Sequence, residues 1–192
     1  MSGFSKLVSE IGHGSFAVID RGLLLLVVLS ILGLASCGTF NSRSELAGES
    51  TGAMMKAYGG YKSAWDRHDV EAIVDYYHQG GTLSNPAAGG TVSGPGLAGW
   101  LQGLFAAIPD FRVELVSAGP LGDQRVADQW VIKGTWTKPF PGGPLAGAQP
   151  TGMSFSVPGA SFYDWKDGKI VAGVQYFDQM AFLTQIGVVA GK

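Results

Sequence analysis

From Phe111 to Phe177 the apolar residues fall largely on every second position; ahead of Phe111 they fall three and four apart. A spacing of two lays side chains alternately on the two faces of a strand, and a spacing near 3.6 stacks them on one face of a helix. A chain that makes this switch once keeps its helices and strands apart, which selects an α+β architecture over an alternating one. In the helical part, Met54, Tyr58, Tyr61 and Trp65 form one apolar stripe. Gly59 and Gly60 interrupt it and weaken the helix by about 1 kcal/mol each relative to Ala. Asp69 is placed to cap a second helix carrying Ile73, Tyr76 and Tyr77, with Gly80 and Gly81 to end it. "TLSNP" (82–86) reads as a short extended piece. Leu97, Trp100, Leu101, Leu104, Phe105 and Ile108 give a third helix that stops before Pro109.

Four strands follow, at 111–118, 125–137, 153–165 and 169–177. Pro158 marks a bulge or a sheet edge, and Asp167-Gly168 is a two-residue hairpin turn. The Pro- and Gly-rich stretch 138–152 is long for a hairpin connection and suits a lid. The expected fold is a curved antiparallel sheet packed on three helices as a cone with a cavity, closed by a short C-terminal helix. The junction with that helix, "YFDQMAFLTQIG" (176–187), holds an acid, Asp178, that is either catalytic or a helix start. Its position fits the N-cap: Gln179 begins the helix, Phe177 and Phe182 are spaced as a hydrophobic staple, and Gly187 closes the far end.

One face of the strand at 125–137 carries Val126, Asp128, Trp130, Ile132 and Trp136; the other carries Ala127, Gln129, Val131, Lys133 and Thr135. The apolar face should line the cavity, which makes Asp128 a carboxylate among tryptophans and a candidate acid–base group. The alternative places Asp128 at the rim, solvated or paired with Arg125 or Arg112. Trp65, Tyr76, Trp100, Trp130 and Trp136 form either an aromatic ligand cage, with Ile132 and Gly173 as further ligand contacts, or plain core.

Net charge is -2 and no run of Lys or Arg forms a basic stripe, which argues against a nucleic-acid partner. His68 and His78 are not spaced as a metal pair on one helix face, so no metal site is expected. No phosphate loop or nucleophile elbow is present. Gly22 to Cys37, "GLLLLVVLSILGLASC", is uncharged and short against the roughly 20 apolar residues of a membrane span, so residues 1–36 read as a secretory leader. Its end, "LASC", resembles a bacterial lipobox, which implies cleavage before Cys37 and a lipid on that sulfur, the chain's single cysteine. An uncleaved signal anchor or an ordinary signal peptide are the alternatives. Residues 37–49 read as a tether and 50–192 as the folded domain, held at the extracytoplasmic face of the cell membrane.

Across about 50–190 the chain resembles the SnoaL-like polyketide cyclases, or ester cyclases, of the nuclear transport factor 2-like superfamily. The pieces that carry the resemblance are "AWDRHDVEAI" (64–73), "LFAAIPDFRVEL" (104–115), "GDQRVADQWVIKGTW" (122–136), "PTG" (150–152), "DGKIV" (167–171) and "YFDQMAFLTQIG". The resemblance implies one deep apolar pocket, often a homodimer, and no metal or organic cofactor. It also implies an intramolecular aldol condensation run by a carboxylate from a segment like Glu-His-Trp-Asp. Ala172, Gly173, Val174 and Gln175 stand there, so the family's His becomes Gly173 and its acid–base Asp becomes Gln175. Gln cannot titrate, though it donates and accepts hydrogen bonds. The sequence therefore supports an apolar small-molecule pocket, with Asp128 as acid–base and Gln175 as donor to a substrate carbonyl if the protein catalyses. A non-catalytic binder and a sheet-mediated interaction module are the alternatives; the loss at Gly173 and Gln175 favours binding.

Overall fold

The structure is a computed structural model and describes residues 50–190. The leader, Cys37 and the tether lie outside the described residues. Helix α1 occupies 50–66 of the described chain, and its stripe of Met54, Tyr58, Tyr61 and Trp65 is buried as the spacing predicts. Gly60 has a reason to interrupt it: a Cβ there would strike the hydroxyl of Tyr76. Helix α2 (Val70–Asp75) is capped by Asp69, whose carboxylate accepts from the Ala72 N–H at 3.0 Å.

The second helix ends earlier than the sequence suggests. It stops at Tyr76, and Tyr77–Asn85 is strand β1. The last strand supplies a pairing partner that local sequence does not reveal: β1 runs parallel to β6 (Lys169–Phe177), with Tyr77 opposite Ile170 and Thr82 opposite Ala172. The register breaks between those two pairs. Gly80 takes φ +80°, and a Cβ on Gly81 would meet the carbonyl oxygens of Ile170 and His78, so this glycine pair makes a bulge rather than a helix end.

A single turn of 3₁₀ helix (Pro86–Ala88) and strand β2 (Gly90–Ser93) lead into helix α3 (Gly94–Ala107), which ends at Ile108, ahead of Pro109. Strands β3 (Arg112–Pro120), β4 (Arg125–Thr135), β5 (Ser154–Lys166) and β6 then form an antiparallel meander. The six-stranded sheet has the order β2-β1-β6-β5-β4-β3 and curves against the helices, an α+β fold. It is mixed, because β1 and β6 are parallel. Asp167 (φ 50°) and Gly168 (φ 73°) both take positive φ, as a tight turn between β5 and β6 requires.

Pro158 lies where β5 runs past the end of β6, since pairing between those strands starts at Gly159 opposite Phe177. Its missing N–H therefore removes no ladder bond on that side. Two residues earlier, helix α4 (Gln179–Gln185) stands in for the absent strand. The Gln185 side chain accepts from Ser156 N–H at 2.7 Å and donates to Ser156 C=O at 3.2 Å. Asp178 caps α4 through Oδ1 and the Ala181 N–H at 2.8 Å, and the Phe177 and Phe182 rings meet edge to face at 6.1 Å. At the other end Gly187 (φ 76°) donates to Thr184 and Val188 donates to Leu183, the paired bonds of a Schellman cap. Asp178 holds α4 in place, and α4 brings Phe182 to the cavity.

Candidate functional site

The concave side of the sheet and the helices enclose an inner chamber in which the centre of a water molecule can move through ≈ 40 Å³, room for about three waters. Its walls come from every layer of the fold. Helix α1 gives Lys62 and Trp65, α3 gives Trp100 and Leu104, and the turn after α3 gives Ile108 and Phe111. The sheet gives Val113, Trp130, Ile132, Phe155, Gln175 and Phe177. Asn85 and Ala87, at the end of β1, and Phe182 complete the wall. Only Lys62, Asn85 and Gln175 bring polar side chains to it.

A larger outer chamber of ≈ 180 Å³ shares Ala87, Trp100, Leu104 and Phe182 with the inner one. Its remaining wall includes Phe140, Gly142, Pro144 and Leu145 from the loop at 138–152. That loop is tied down: the Thr137 and Lys138 N–H groups both donate to the Ala107 carbonyl, and Pro141 fills the space a side chain at Gly103 would need. The lid-like stretch of the sequence thus roofs an antechamber, and four side chains form the neck between it and the inner chamber.

Trp65, Trp100, Trp130 and Ile132, expected to face a ligand, all line the inner chamber. Trp130 is held by its own indole, which donates to the buried Ser161 hydroxyl at 2.6 Å, and by Gly159 opposite it, where any Cβ would collide with the six-membered ring. Gln175 is also on the wall, within an amide chain. Asn85 Nδ2 donates to Gln175 Oε1, Gln175 Nε2 donates to the Tyr163 hydroxyl at 2.9 Å, and Asn85 Oδ1 accepts from the Ala87 N–H at 2.7 Å. Each amide nitrogen carries a second hydrogen beyond those bonds.

Three expected ligand contacts lie elsewhere. Tyr76 ends α2 and packs edge to face on Tyr61 at 5.9 Å. Trp136 is fully buried just past the end of β4, tilted against Phe140 at 5.8 Å with its indole donating to the Lys138 carbonyl at 2.7 Å. Gly173 is sealed: a Cβ there would sit 2.9 Å from the Tyr163 ring and 3.1 Å from Leu83. The position the family resemblance assigns to histidine is filled here by a tyrosine from the neighbouring strand. Neither Tyr76, Trp136 nor Gly173 appears on the wall of either chamber, because position along a strand face fixes burial but not whether the space beyond it is empty.

Asp128 is buried, at 3% exposure, but stands behind the chamber wall rather than on it. It pairs with neither arginine: Arg125 binds Asp164 and Arg112 binds Glu114. Its Oδ2 accepts from the Tyr58 hydroxyl at 2.6 Å and lies 3.9 Å from Lys62 Nζ, while Oδ1 finds no donor among the described residues. Lys62 stands between this carboxylate and the chamber, with its side chain 12% exposed. Burial pulls the Lys62 pKa below that of a free lysine, against the opposing pull of Asp128 and Asp66. Burial also pushes up the phenols of Tyr58, Tyr61, Tyr77 and Tyr163, so all four stay protonated donors at neutral pH. Sequence reasoning missed Lys62. Its signal was there: one turn of α1 separates Tyr58 from Lys62, which puts the lysine beside the buried stripe.

His68 Nε2–H donates to the Phe111 carbonyl at 2.6 Å, and the imidazole stacks flat on Phe105 at 4.1 Å. Among the described residues no cluster of three histidine, cysteine or acidic side chains could hold a metal.

Sheet order and chamber define a small α+β protein of the nuclear transport factor 2-like type, and solved structures agree. AclR of Streptomyces galilaeus, a hydroxylase candidate, superposes with TM-score 0.62 at 22% identity over 74% of this chain and 85% of its own. A ketosteroid isomerase-like protein of Catenulispora acidiphila, solved with trimethylamine, gives 0.56 at 23% over 68% and 92%. IdmH of Streptomyces antibioticus, a polyketide cyclase candidate, gives 0.57 at 23% over 70% and 98%. The chain belongs to the SnoaL-like polyketide cyclase family, whose model matches residues 55–186. No functionally curated protein matches it.

Proposed function

We propose that the protein binds a flat, apolar small molecule, aromatic or polycyclic, with its polar end in the inner chamber and its rings across the neck in the larger antechamber, and that a lipid on Cys37 holds it at the extracytoplasmic face of the cell membrane. One observation carries the binding reading: a tryptophan- and phenylalanine-lined wall whose polar side chains are Lys62, Asn85 and Gln175 alone. Such a wall favours a ligand with a large apolar surface and a single oxygen to accept from an amide. Gln175, where relatives carry a titratable group, supports holding that oxygen over the family's aldol chemistry. The rings take the antechamber beneath the loop at 138–152, because the inner chamber has room for little more than the ligand's polar end.

9-Fluorenone, a flat tricyclic ketone, tests the reading by titration calorimetry. Wild-type protein should bind it, and Gln175→Leu should weaken binding about fivefold to tenfold, the worth of one hydrogen bond. Trp100→Ala should weaken it further. Affinity unchanged in both variants would contradict binding at this site. For the anchor, cells fed a fatty-acid probe should label the wild type and leave Cys37→Ser unlabelled; equal labelling would refute it.

A catalytic version keeps Asp128 as the acid–base group. Its support is a buried carboxylate one side chain away from the chamber, with Lys62 as that side chain.

A further inference from the structure

We propose that Lys62 is a reactive amine that forms an imine with a carbonyl compound seated in the inner chamber. The inference rests on the chamber being a ligand site and names the chemical class of ligand that reacts there: an apolar aldehyde or ketone.

The geometry has three parts. Lys62 projects from α1 into a wall that is otherwise aromatic and aliphatic, apart from Asn85 and Gln175. A buried carboxylate, Asp128 Oδ2, lies 3.9 Å behind its Nζ, held by the Tyr58 hydroxyl. Asp128 Oδ1 has no donor among the described residues, so this buried carboxylate is under-bonded and keeps an acceptor atom free. Simple ion pairing explains this arrangement poorly, because 3.9 Å is the outer limit of such a contact. Burial lowers the lysine's affinity for its proton, as reactive lysines in apolar pockets require.

The chemistry closes with the groups present. The Lys62 ammonium passes a proton to Asp128. The free Nζ pair attacks the carbonyl carbon; the C–N bond forms, the C=O π pair moves to oxygen, and oxygen takes the proton that nitrogen sheds. Protonated Asp128 then gives its proton to the resulting hydroxyl, the C–O bond breaks and water leaves. The nitrogen pair forms C=N, leaving an iminium ion beside the restored Asp128 carboxylate. An iminium withdraws electrons as a protonated carbonyl does, which would let a chain without the family's acid–base aspartate still loosen a C–H bond next to that carbon.

The test is reductive trapping with 2-naphthaldehyde and sodium cyanoborohydride, which delivers hydride to the iminium carbon and fixes the adduct as a secondary amine. Peptide mapping then reads the modified lysines, with exposed Lys56 and Lys166 as internal references. Lys62 should react faster than these by about tenfold for each unit its pKa falls below theirs. Trapping at Lys62 should rise with pH through a midpoint below the ordinary lysine value; Asp128 and Tyr58 behind it and Asp66 on its own helix are the charged and titratable groups that face it. Asp128→Asn should slow trapping at Lys62 and leave the reference lysines unchanged. Lys62→Arg keeps a cation opposite Asp128 and should abolish the chamber adduct alone. Quenching of tryptophan fluorescence by 2-naphthol, which has no carbonyl, reports occupancy separately. Quenching with no excess adduct at Lys62 overturns the amine's role and leaves the binding site standing; no quenching and no adduct overturns both.

Discussion

The interior has two halves built from the same class of residue with opposite results. Around Tyr61, the rings of Tyr76, Tyr77, Tyr163 and Trp165 meet it edge to face at 5.4–6.4 Å, and none of the five lines either chamber. Around Trp130, the rings of Trp65, Trp100, Phe177 and Phe182 stand as walls of a chamber. The tyrosines carry hydroxyls that must find partners when buried, and they find one another: Tyr61 and Tyr77 hydroxyls lie 3.1 Å apart, and Tyr163 accepts from Gln175. Those bonds draw the rings together. Trp130 is bonded backwards into the sheet, to Ser161, which pins the ring against its own strand layer and leaves a face free. Gln175 sits on the border, bonded to a tyrosine of the closed half and exposed to the open one.

The contrast is broken most severely by emptying the closed half. Tyr61→Ala should cost about 3–5 kcal/mol, the range for removing a large buried ring, read from the urea midpoint. Fluorenone affinity of the molecules that remain folded should hardly change, since Tyr61 lines neither chamber. Overfilling the open half should do the reverse. Gly159→Val pushes Trp130 from its seat at a cost of about 1–3 kcal/mol, and fluorenone titration should show binding lost. Asp178→Ala touches neither half's lining. It should remove about 1 kcal/mol of stability, the worth of an N-cap, with no change in affinity.

The smallest effect is on pH dependence, and its sign differs between the halves. Lys62, on the open side, has a pKa lowered by burial from the ordinary 10.5. Between its folded value and 10.5 the unfolded chain binds a proton that the folded chain does not, so stability rises with pH there. Tyr58, Tyr61, Tyr77 and Tyr163 are raised above 10.0 by burial. Above about pH 10 the unfolded chain loses phenolic protons that the folded chain keeps, and stability falls. Urea midpoints should therefore climb on the alkaline side and then drop; Lys62→Met should flatten the climb and leave the drop.

The parts of the molecule legible in the sequence are those decided within a few residues. The α1 stripe, the meander from Arg112 to Phe177, the Asp-Gly turn and the Asp178 cap all follow from local spacing and capping chemistry. Strand β1 was legible only in its second half, the extended piece at 82–86; its start at Tyr77 was not, because its partner, β6, lies about ninety residues further on, and the glycines at 80 and 81 serve a bulge as readily as a helix end. The inward face of β4 was legible as a face, and Asp128 is buried on it. Whether a buried side chain meets a void depends on what the opposing element brings. Tyr163 closes the space at Gly173, and Phe140 covers Trp136, while nothing fills the space before Trp130 and Ile132. For the same reason Lys62 could be seen only once α1 was docked against β4.

The most direct measurement is a crystal structure of the protein soaked with 9-fluorenone. The rings are expected in the antechamber, against the neck of Ala87, Trp100, Leu104 and Phe182, with the ketone oxygen reaching into the inner chamber to accept from the amide of Asn85 or Gln175. Fluorenone bound only on the outer face of the sheet, or a chamber that stays empty at saturating ligand, would contradict it.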